Sequence, residues 1–255
     1  MEQIISVKNI KMKYQSPEGE TMAIDDVSFD VNDGDFVSII GPSGCGKSTL
    51  LSIIANLLPY DSGEILLNGK PVSSNNESIG YMLQKDCLFE WRTIRKNVLL
   101  GLEIKGLKTK ENIEYADELL NTYGLYEFKD KYPRQLSGGM RQRCALIRTL
   151  VTRPRLLLLD EAFSALDYQT RLSVVDDIYE IIKKEKKTVL MVTHDISESI
   201  SVSNRIIVLT KRPASIKSVH SISFSQQGLS PFNRREQPEF REYFNKIWSD
   251  IDVHM

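Results

Sequence analysis

Nine consecutive residues, Gly41-Pro42-Ser43-Gly44-Cys45-Gly46-Lys47-Ser48-Thr49, constrain this chain more than any other stretch. They fit the pattern G-x-x-x-x-G-K-[ST]. Before them stands an apolar run, Phe36-Val37-Ser38-Ile39-Ile40, that reads as a buried strand; after them Leu50-Leu51-Ser52-Ile53-Ile54-Ala55 reads as a helix. Strand, glycine-rich loop and helix in that order build a phosphate cradle. The glycines let the backbone wrap an anion with its N–H groups inward, and the helix N-terminus adds partial positive charge at the same spot. Lys47 supplies a point charge for β- and γ-phosphates, and the Ser48 hydroxyl is placed to coordinate Mg2+. A glycine turn with an incidental lysine is the competing reading, and the flanks argue against it.

At 255 residues the chain is long enough for one large domain, or a domain with a subdomain, around a sizeable core. A formal charge of -1 argues against a strongly basic nucleic-acid binder. There is neither a secretory signal nor an apolar run near the ~20 residues that span a bilayer, so the protein reads as made and kept in the cytosol. Cys45, Cys87 and Cys144 lack the spacing of a disulfide framework or zinc site. Cys45, beside backbone N–H groups at a helix start, is either a thiol with a lowered pKa or a small residue that fits the loop.

Ahead of the cradle, Ile4 to Ile10 and Met22 to Val31 alternate polar and β-branched residues around a Pro17-Glu18-Gly19 turn, as two antiparallel strands. Tyr14 ends the first. Its ring is able to stack on a base, although a strand-end tyrosine by itself reads as half-buried packing. Beyond the cradle come a strand closed by Asn68-Gly69, a polar loop Ser73 to Glu77, and a short strand Ile79 to Leu83 that ends at Gln84. An amide there reaches a metal and an attacking water, or is a solvated loop glutamine. From Trp91 to about Arg134 helix formers dominate, over Thr93 to Leu102 and Thr109 to Tyr123, which predicts a helical subdomain inserted into an α/β fold. Leu88, Phe89 and Trp91 are exposed apolar residues of a docking surface, or the core of that insert.

Ser137-Gly138-Gly139 precedes another helix-forming run and makes a second helix N-terminus with bare N–H groups. Two anion sites with only one lysine-bearing cradle are explained if two copies share two nucleotides, each cradle capped by the other copy's serine and glycines. Leu156-Leu157-Leu158-Leu159 reads as a strand buried on both faces that delivers Asp160 and Glu161 at its ligand-facing end. Asp160 is placed to hold the metal, directly or through water, and Glu161 to polarise the attacking water. A surface pair of acids is the alternative. Ser164-Ala165-Leu166-Asp167 leads into an amphipathic helix from Tyr168 to Glu185, and Thr188 to Thr193 is a further buried strand with His194 at its end. His194 either bonds a γ-phosphate oxygen or is structural. Ser215 to Phe224 reads as an edge strand, 225–237 as polar and mobile, and Pro238 to Ile251 as a helix with Phe240, Tyr243, Phe244, Ile247 and Trp248 on its apolar face.

Taken in order from Tyr14 to His194, these motifs resemble the ATP-binding subunit of an ATP-binding cassette (ABC) transporter: Tyr14, Gly41 to Thr49, Gln84, Leu136 to Gln142, Leu156 to Glu161, Ser164 to Asp167 and His194. The resemblance implies an α/β fold. Its parts are a P-loop NTPase (RecA-like) core sheet with an N-terminal antiparallel β-subdomain (1–84 and 155–224), an inserted α-helical subdomain (85–154) and a C-terminal tail with a helix (225–255). It also implies ATP and Mg2+ as cofactors and a head-to-tail dimer with Asp167 near the shared nucleotides. Glu161 is implied as general base, with Gln84 and His194 beside it and Ser48, Gln84 and Asp160 at the metal. Further implied are integral membrane permease subunits, an extracytoplasmic solute-binding protein, no nucleic acid, and a place on the cytoplasmic face of the membrane. Leu88 to Thr93 and the form of Leu136 to Arg143 look like the nitrate, sulfonate, taurine and bicarbonate importer group, although Glu90 stands where that group commonly has proline. An exporter ATPase shares the chemistry. A soluble ABC-type ATPase acting on DNA or ribosomes usually carries a coiled-coil insertion or two cassettes, and a P-loop kinase has no need of Ser137 to Gly139.

Overall fold

The computed structural model describes residues 2–17, 19–72 and 78–251. Glu18 of the expected turn and the expected loop at 73–77 lie outside them. The chain opens with two long antiparallel strands, β1 (Gln3–Ser16) and β2 (Gly19–Asn32). Both outrun their predicted lengths. A bulge hides the continuation: Asn9 (φ 50°) and Asp26 (φ 57°) take left-handed conformations, and the register shifts between Val7 and Ile10. The Asn9 N–H donates to Ser28 Oγ (2.7 Å) and its amide to Asp26 Oδ1 (2.7 Å). Alternation therefore breaks at Asn9, yet pairing resumes at Ile10–Val27 and carries Tyr14 opposite Thr21, so Tyr14 lies inside the strand and not at its end.

Next come β3 (Phe36–Ile40), α1 (Lys47–Ile54), β4 (Ser62–Leu67), β5 (Lys70–Pro71) and β6 (Ile79–Met82). The predicted helix over Thr93 to Leu102 is divided at Leu99 into α2 (Ile94–Val98) and α3 (Leu100–Ile104). The α4 helix (Lys110–Thr122) follows, capped by the Thr109 side chain. Then come α5 (Gly138–Leu150), β7 (Leu156–Asp160), α6 (Tyr168–Lys184), β8 (Thr188–Val192), α7 (Ile196–Val202), β9 (Arg205–Leu209), β10 (Ile216–Ser221), α8 (Pro231–Arg234) and α9 (Pro238–Ile251). Among the described residues no helix is long and apolar enough to cross a membrane.

The strands form two sheets. β2-β1-β4-β5 is antiparallel; β10-β9-β3-β8-β7-β6 is parallel except for the edge strand β10. Side-chain alternation divides the core into layers. Leu157, Leu159, Val189 and Met191 face a cluster built with α2, α4, α5 and α6, whereas Leu156, Leu158, Leu190 and Val192 face one built with α1 and the antiparallel sheet. Leu156 to Leu159 are each 0% exposed. At about 1.5–3 kcal/mol per buried leucine, and because a one-residue slip would turn every side chain to the opposite face, this register holds Asp160 at the strand's end.

The tail departs from expectation. Residues 225–237 are not a loose connection: Ser230 caps α8, Leu229 and Pro231 are buried, and Arg234 donates to Tyr179 Oη (2.7 Å) and to the Ser201 carbonyl (3.0 Å). The sequence looked polar because guanidinium bonds, not apolar area, anchor it. In α9, Ile247 is fully buried and Phe240, Tyr243 and Phe244 pack beside it, but Trp248 is 52% exposed and stacks on Phe244 at 5.9 Å.

Candidate functional site

Sheet order explains why residues far apart in sequence meet. β3, β8, β7 and β6 are adjacent and parallel, with Ile39 level with Val192, Val192 with Asp160, and Leu159 with Met82. The segments leaving their C-terminal ends are the glycine loop, His194, Asp160-Glu161 and Gln84. Ligands bind at that edge in open α/β sheets.

The loop wraps as its glycines permit. Gly46 has φ +120°, and a Cβ there would stand 3.3 Å from the Ala23 carbonyl oxygen and 3.7 Å from the Ala214 methyl. Lys47 begins α1, is 5% exposed, and donates from Nζ to the Gly41 and Pro42 carbonyls at 2.9 and 3.0 Å. Ser48 Oγ donates to Asp160 Oδ1 at 2.7 Å, and Tyr81 Oη donates to Asp160 Oδ2 at 3.3 Å. Burial pushes the Asp160 carboxyl above its ordinary range, against the two hydroxyl bonds that lower it. Burial also raises Tyr81 to about 12, so it stays a protonated donor at neutral pH. Tyr14 Oη lies 2.9 Å from Thr49 Oγ1, which ties the first strand to the end of the cradle.

Glu161 takes a left-handed backbone (φ 47°), fixed by its N–H to the Val192 carbonyl (2.8 Å). Its Oε2 lies 3.3 Å from Gln84 Nε2 and 3.3 Å from His194 Nδ1; Gln84 also donates to Ser164 Oγ at 3.1 Å. A cavity of about 420 Å³ is lined by Ser43, Gly44, Gly46, Lys47, Ser48, Thr49, Glu161, His194 and Arg212. A larger groove of about 920 Å³ between α4, α5 and α6 holds charges of both signs and none of the motif residues. The smaller cavity is the candidate site, because Lys47, Ser48, Glu161 and His194 converge on it and Asp160 is bonded to its Ser48.

Ser137, Gly138 and Gly139 are not among its lining residues. Ser137 caps α5 through the Met140 N–H (3.3 Å), with Ser137 and Gly138 exposed and Gly139 buried. Asp167 caps α6 through the Thr170 N–H (3.1 Å) and is exposed. One chain therefore does not bring these three and Asp167 to its own cradle. Of the two readings of Cys45, the structure favours the small residue that fits the loop: it is 1% exposed, and burial drives its thiol up, outweighing Lys47 and the helix-start N–H bonds. Leu88 is buried, Phe89 half-buried, and only Trp91 of the three stands out, 74% exposed and stacked on Phe89 at 4.7 Å. Glu90 accepts from Arg141 (2.7 Å), which also grips Asp86 at 2.8 and 3.1 Å. Tyr81 and Arg212 were missed. Tyr81 gives no signal in sequence, whereas Arg212 follows the end of a parallel strand and was open to the rule that found His194.

Behind His194, Asp195 caps α7 at the Glu198 N–H (3.0 Å), and Glu198 itself is 3% exposed. Burial, with Asp195 nearby, raises Glu198 from 4.5 to about 7. The folded state thus holds this proton more tightly than the unfolded chain. Its contribution is complete below about pH 4.5 and is lost as pH rises through about 7. Relative to Glu198→Gln, the wild type should lose up to about 3 kcal/mol between pH 5 and 8. Urea unfolding of both proteins at the two pH values measures this; parallel stabilities would show that Glu198 is charged when folded.

A family model described as ABC transporter matches residues 24–164. The uncharacterized ABC transporter ATP-binding protein YtlC of Bacillus subtilis is 44% identical over 248 residues, 97% of this chain and 95% of that one. The taurine import ATP-binding protein TauB of Roseobacter denitrificans is 37% identical over 251 residues, 96% and 94% of the two chains. Among solved structures, the dimeric bacterial ABC transporter cassette MJ0796 superposes with a TM-score of 0.74 at 31% identity, covering 87% of this chain and 100% of that one. A second dimeric structure of that cassette, in a post-hydrolysis state with ADP and Pi, gives 0.73 at 30% identity over the same shares. The chain belongs to the ABC transporter ATP-binding family, and it is a nucleotide-binding ATPase of that type with a P-loop NTPase fold.

Proposed function

We propose that this chain powers a membrane importer as one of a head-to-tail pair that closes around two ATP molecules. The observation that carries the pairing is the separation within one chain: the cradle and its carboxylates lie at one cavity, while the Ser137 to Gly139 helix start lies outside it. An exposed helix N-terminus on α5, with α2, α3 and α4 between it and the lysine-bearing loop in the chain, has an anion to bind if a second copy presents one. Import of a small solute of the taurine, sulfonate or nitrate kind is supported by the likeness to the taurine import protein, and membrane permease subunits and a solute-binding protein follow from that reading. The working place is then the cytoplasmic face of the membrane.

The residues fit Mg2+. Ser48 Oγ and Asp160 Oδ1 are hard oxygen donors 2.7 Å apart, and the carboxylate is desolvated. Ser48 and Asp160, with Gln84, would hold Mg2+, and a bound ion would supply neutralisation of phosphate charge. Lys47 and the loop N–H groups orient the phosphate chain. Glu161 takes a proton from the attacking water, and Gln84 and His194 hold that carboxylate in place from two sides.

Tagging the chain in its native cell, solubilising membranes gently and identifying what co-purifies tests the reading. A multi-spanning membrane protein is the expected companion. Recovery with ribosomes or DNA from the soluble fraction would remove the importer and leave the ATPase.

A further inference from the structure

Arg212 lines the cradle cavity together with Ser43, Gly44 and Lys47, and no motif accounts for it. Its side chain is exposed, and among the described residues no hydrogen bond or ion pair engages it. Several guanidiniums elsewhere are committed: Arg141 to Asp86 and Glu90, Arg205 to Asp35, and Arg234 to Tyr179. The loop that carries Arg212 is nonetheless fixed. Thr210 Oγ1 donates to the Pro213 carbonyl (3.1 Å) and accepts from the Ser215 N–H (3.0 Å). Ala214, two residues on, exchanges main-chain bonds with β2, its N–H to Ala23 O (2.9 Å) and its carbonyl from Asp25 N (2.8 Å). The Ala214 methyl also lies 3.7 Å from the position of a Cβ on Gly46, so this loop is stacked directly on the cradle. A guanidinium on a loop held in place, without a carboxylate partner, lines this cavity together with Lys47 and Ser48. Its planar fork suits a phosphate, which it is able to hold through two parallel bonds.

We propose that Arg212 binds the phosphate chain of the nucleotide as a second cation of the cradle, alongside Lys47. This rests on the reading of the cavity as the nucleotide site. Because the loop is bonded to β2, it also ties the phosphate end of the site to the antiparallel sheet that carries Tyr14. The ordering cost of the contact is small, since the loop is already held.

Wild type, Arg212→Ala, Arg212→Lys and Lys47→Ala are titrated in the full-length chain with ATP and, separately, with inorganic tripolyphosphate. Arg212→Ala should raise the Kd for ATP about tenfold or more and that for tripolyphosphate by a similar factor, with Arg212→Lys in between. Its melting temperature should match wild type, because the side chain makes no bond whose loss would unfold the protein. Unchanged ATP affinity in Arg212→Ala overturns the proposal. So does a loss confined to ATP, which would place the guanidinium on base or ribose. Lys47→Ala separates the two failures. If it loses ATP binding while Arg212→Ala does not, only the role of Arg212 falls; if neither variant loses it, the nucleotide reading of the cavity falls with it.

Discussion

Glu161→Gln is expected to slow ATP hydrolysis by about 10²–10⁴-fold, the usual worth of a general base, while ATP affinity stays within a fewfold of wild type. The substitution keeps shape and leaves an amide where the carboxylate stood. Gln84 Nε2 at 3.3 Å still meets an oxygen, and the left-handed turn at residue 161 is unaltered, being held by the main-chain bond to Val192. What disappears is the group that takes the water's proton. Nucleotide then stays intact in the closed pair, so ATP-bound dimers should accumulate on size exclusion where wild type returns to monomer. Phosphate release measures the first effect and elution volume the second. Hydrolysis at the wild-type rate would refute the assignment of the base.

Lys47→Ala should raise the Kd for ATP about 10- to 10²-fold and bring hydrolysis to background. A charge-assisted bond to phosphate is worth about 1.5–3 kcal/mol, and Lys47 is the one cation that the cradle buries, at 5% exposure. The same change removes both ties from Nζ to the Gly41 and Pro42 carbonyls, so the loop loses part of the frame that aims its N–H groups inward. Melting temperature must be read beside affinity. Loss of binding at an unchanged melting temperature assigns the effect to the cradle, and retained binding would refute Lys47 as a phosphate contact.

Much of the site was legible because its residues sit at fixed offsets from strong local patterns. Lys47 and Ser48 follow a glycine loop, Asp160 and Glu161 follow four leucines, and His194 follows a run of apolar residues. Each pattern is read without knowing what packs on it. The strand limits near Asn9 were not legible, since a bulge interrupts alternation while pairing goes on. Nor was the state of Cys45: a helix start lowers a thiol's pKa, but burial to 1% exposure raises it and prevails. The stretch 225–237 misled for a related reason, its order resting on Arg234 reaching residues more than thirty positions back.

By itself the amino-acid sequence determined the glycine loop, the buried parallel strands and which side chains stand at their ends, because backbone conformation and side-chain periodicity are local properties. The tertiary structure alone decided which of those ends are neighbours. The order β3-β8-β7-β6 brings Gln84 and His194 each within 3.3 Å of Glu161, puts Tyr81 on Asp160, and stacks the Arg212 loop on Gly46. Those contacts follow from how strands distant in sequence pair and pack, and no local pattern encodes them.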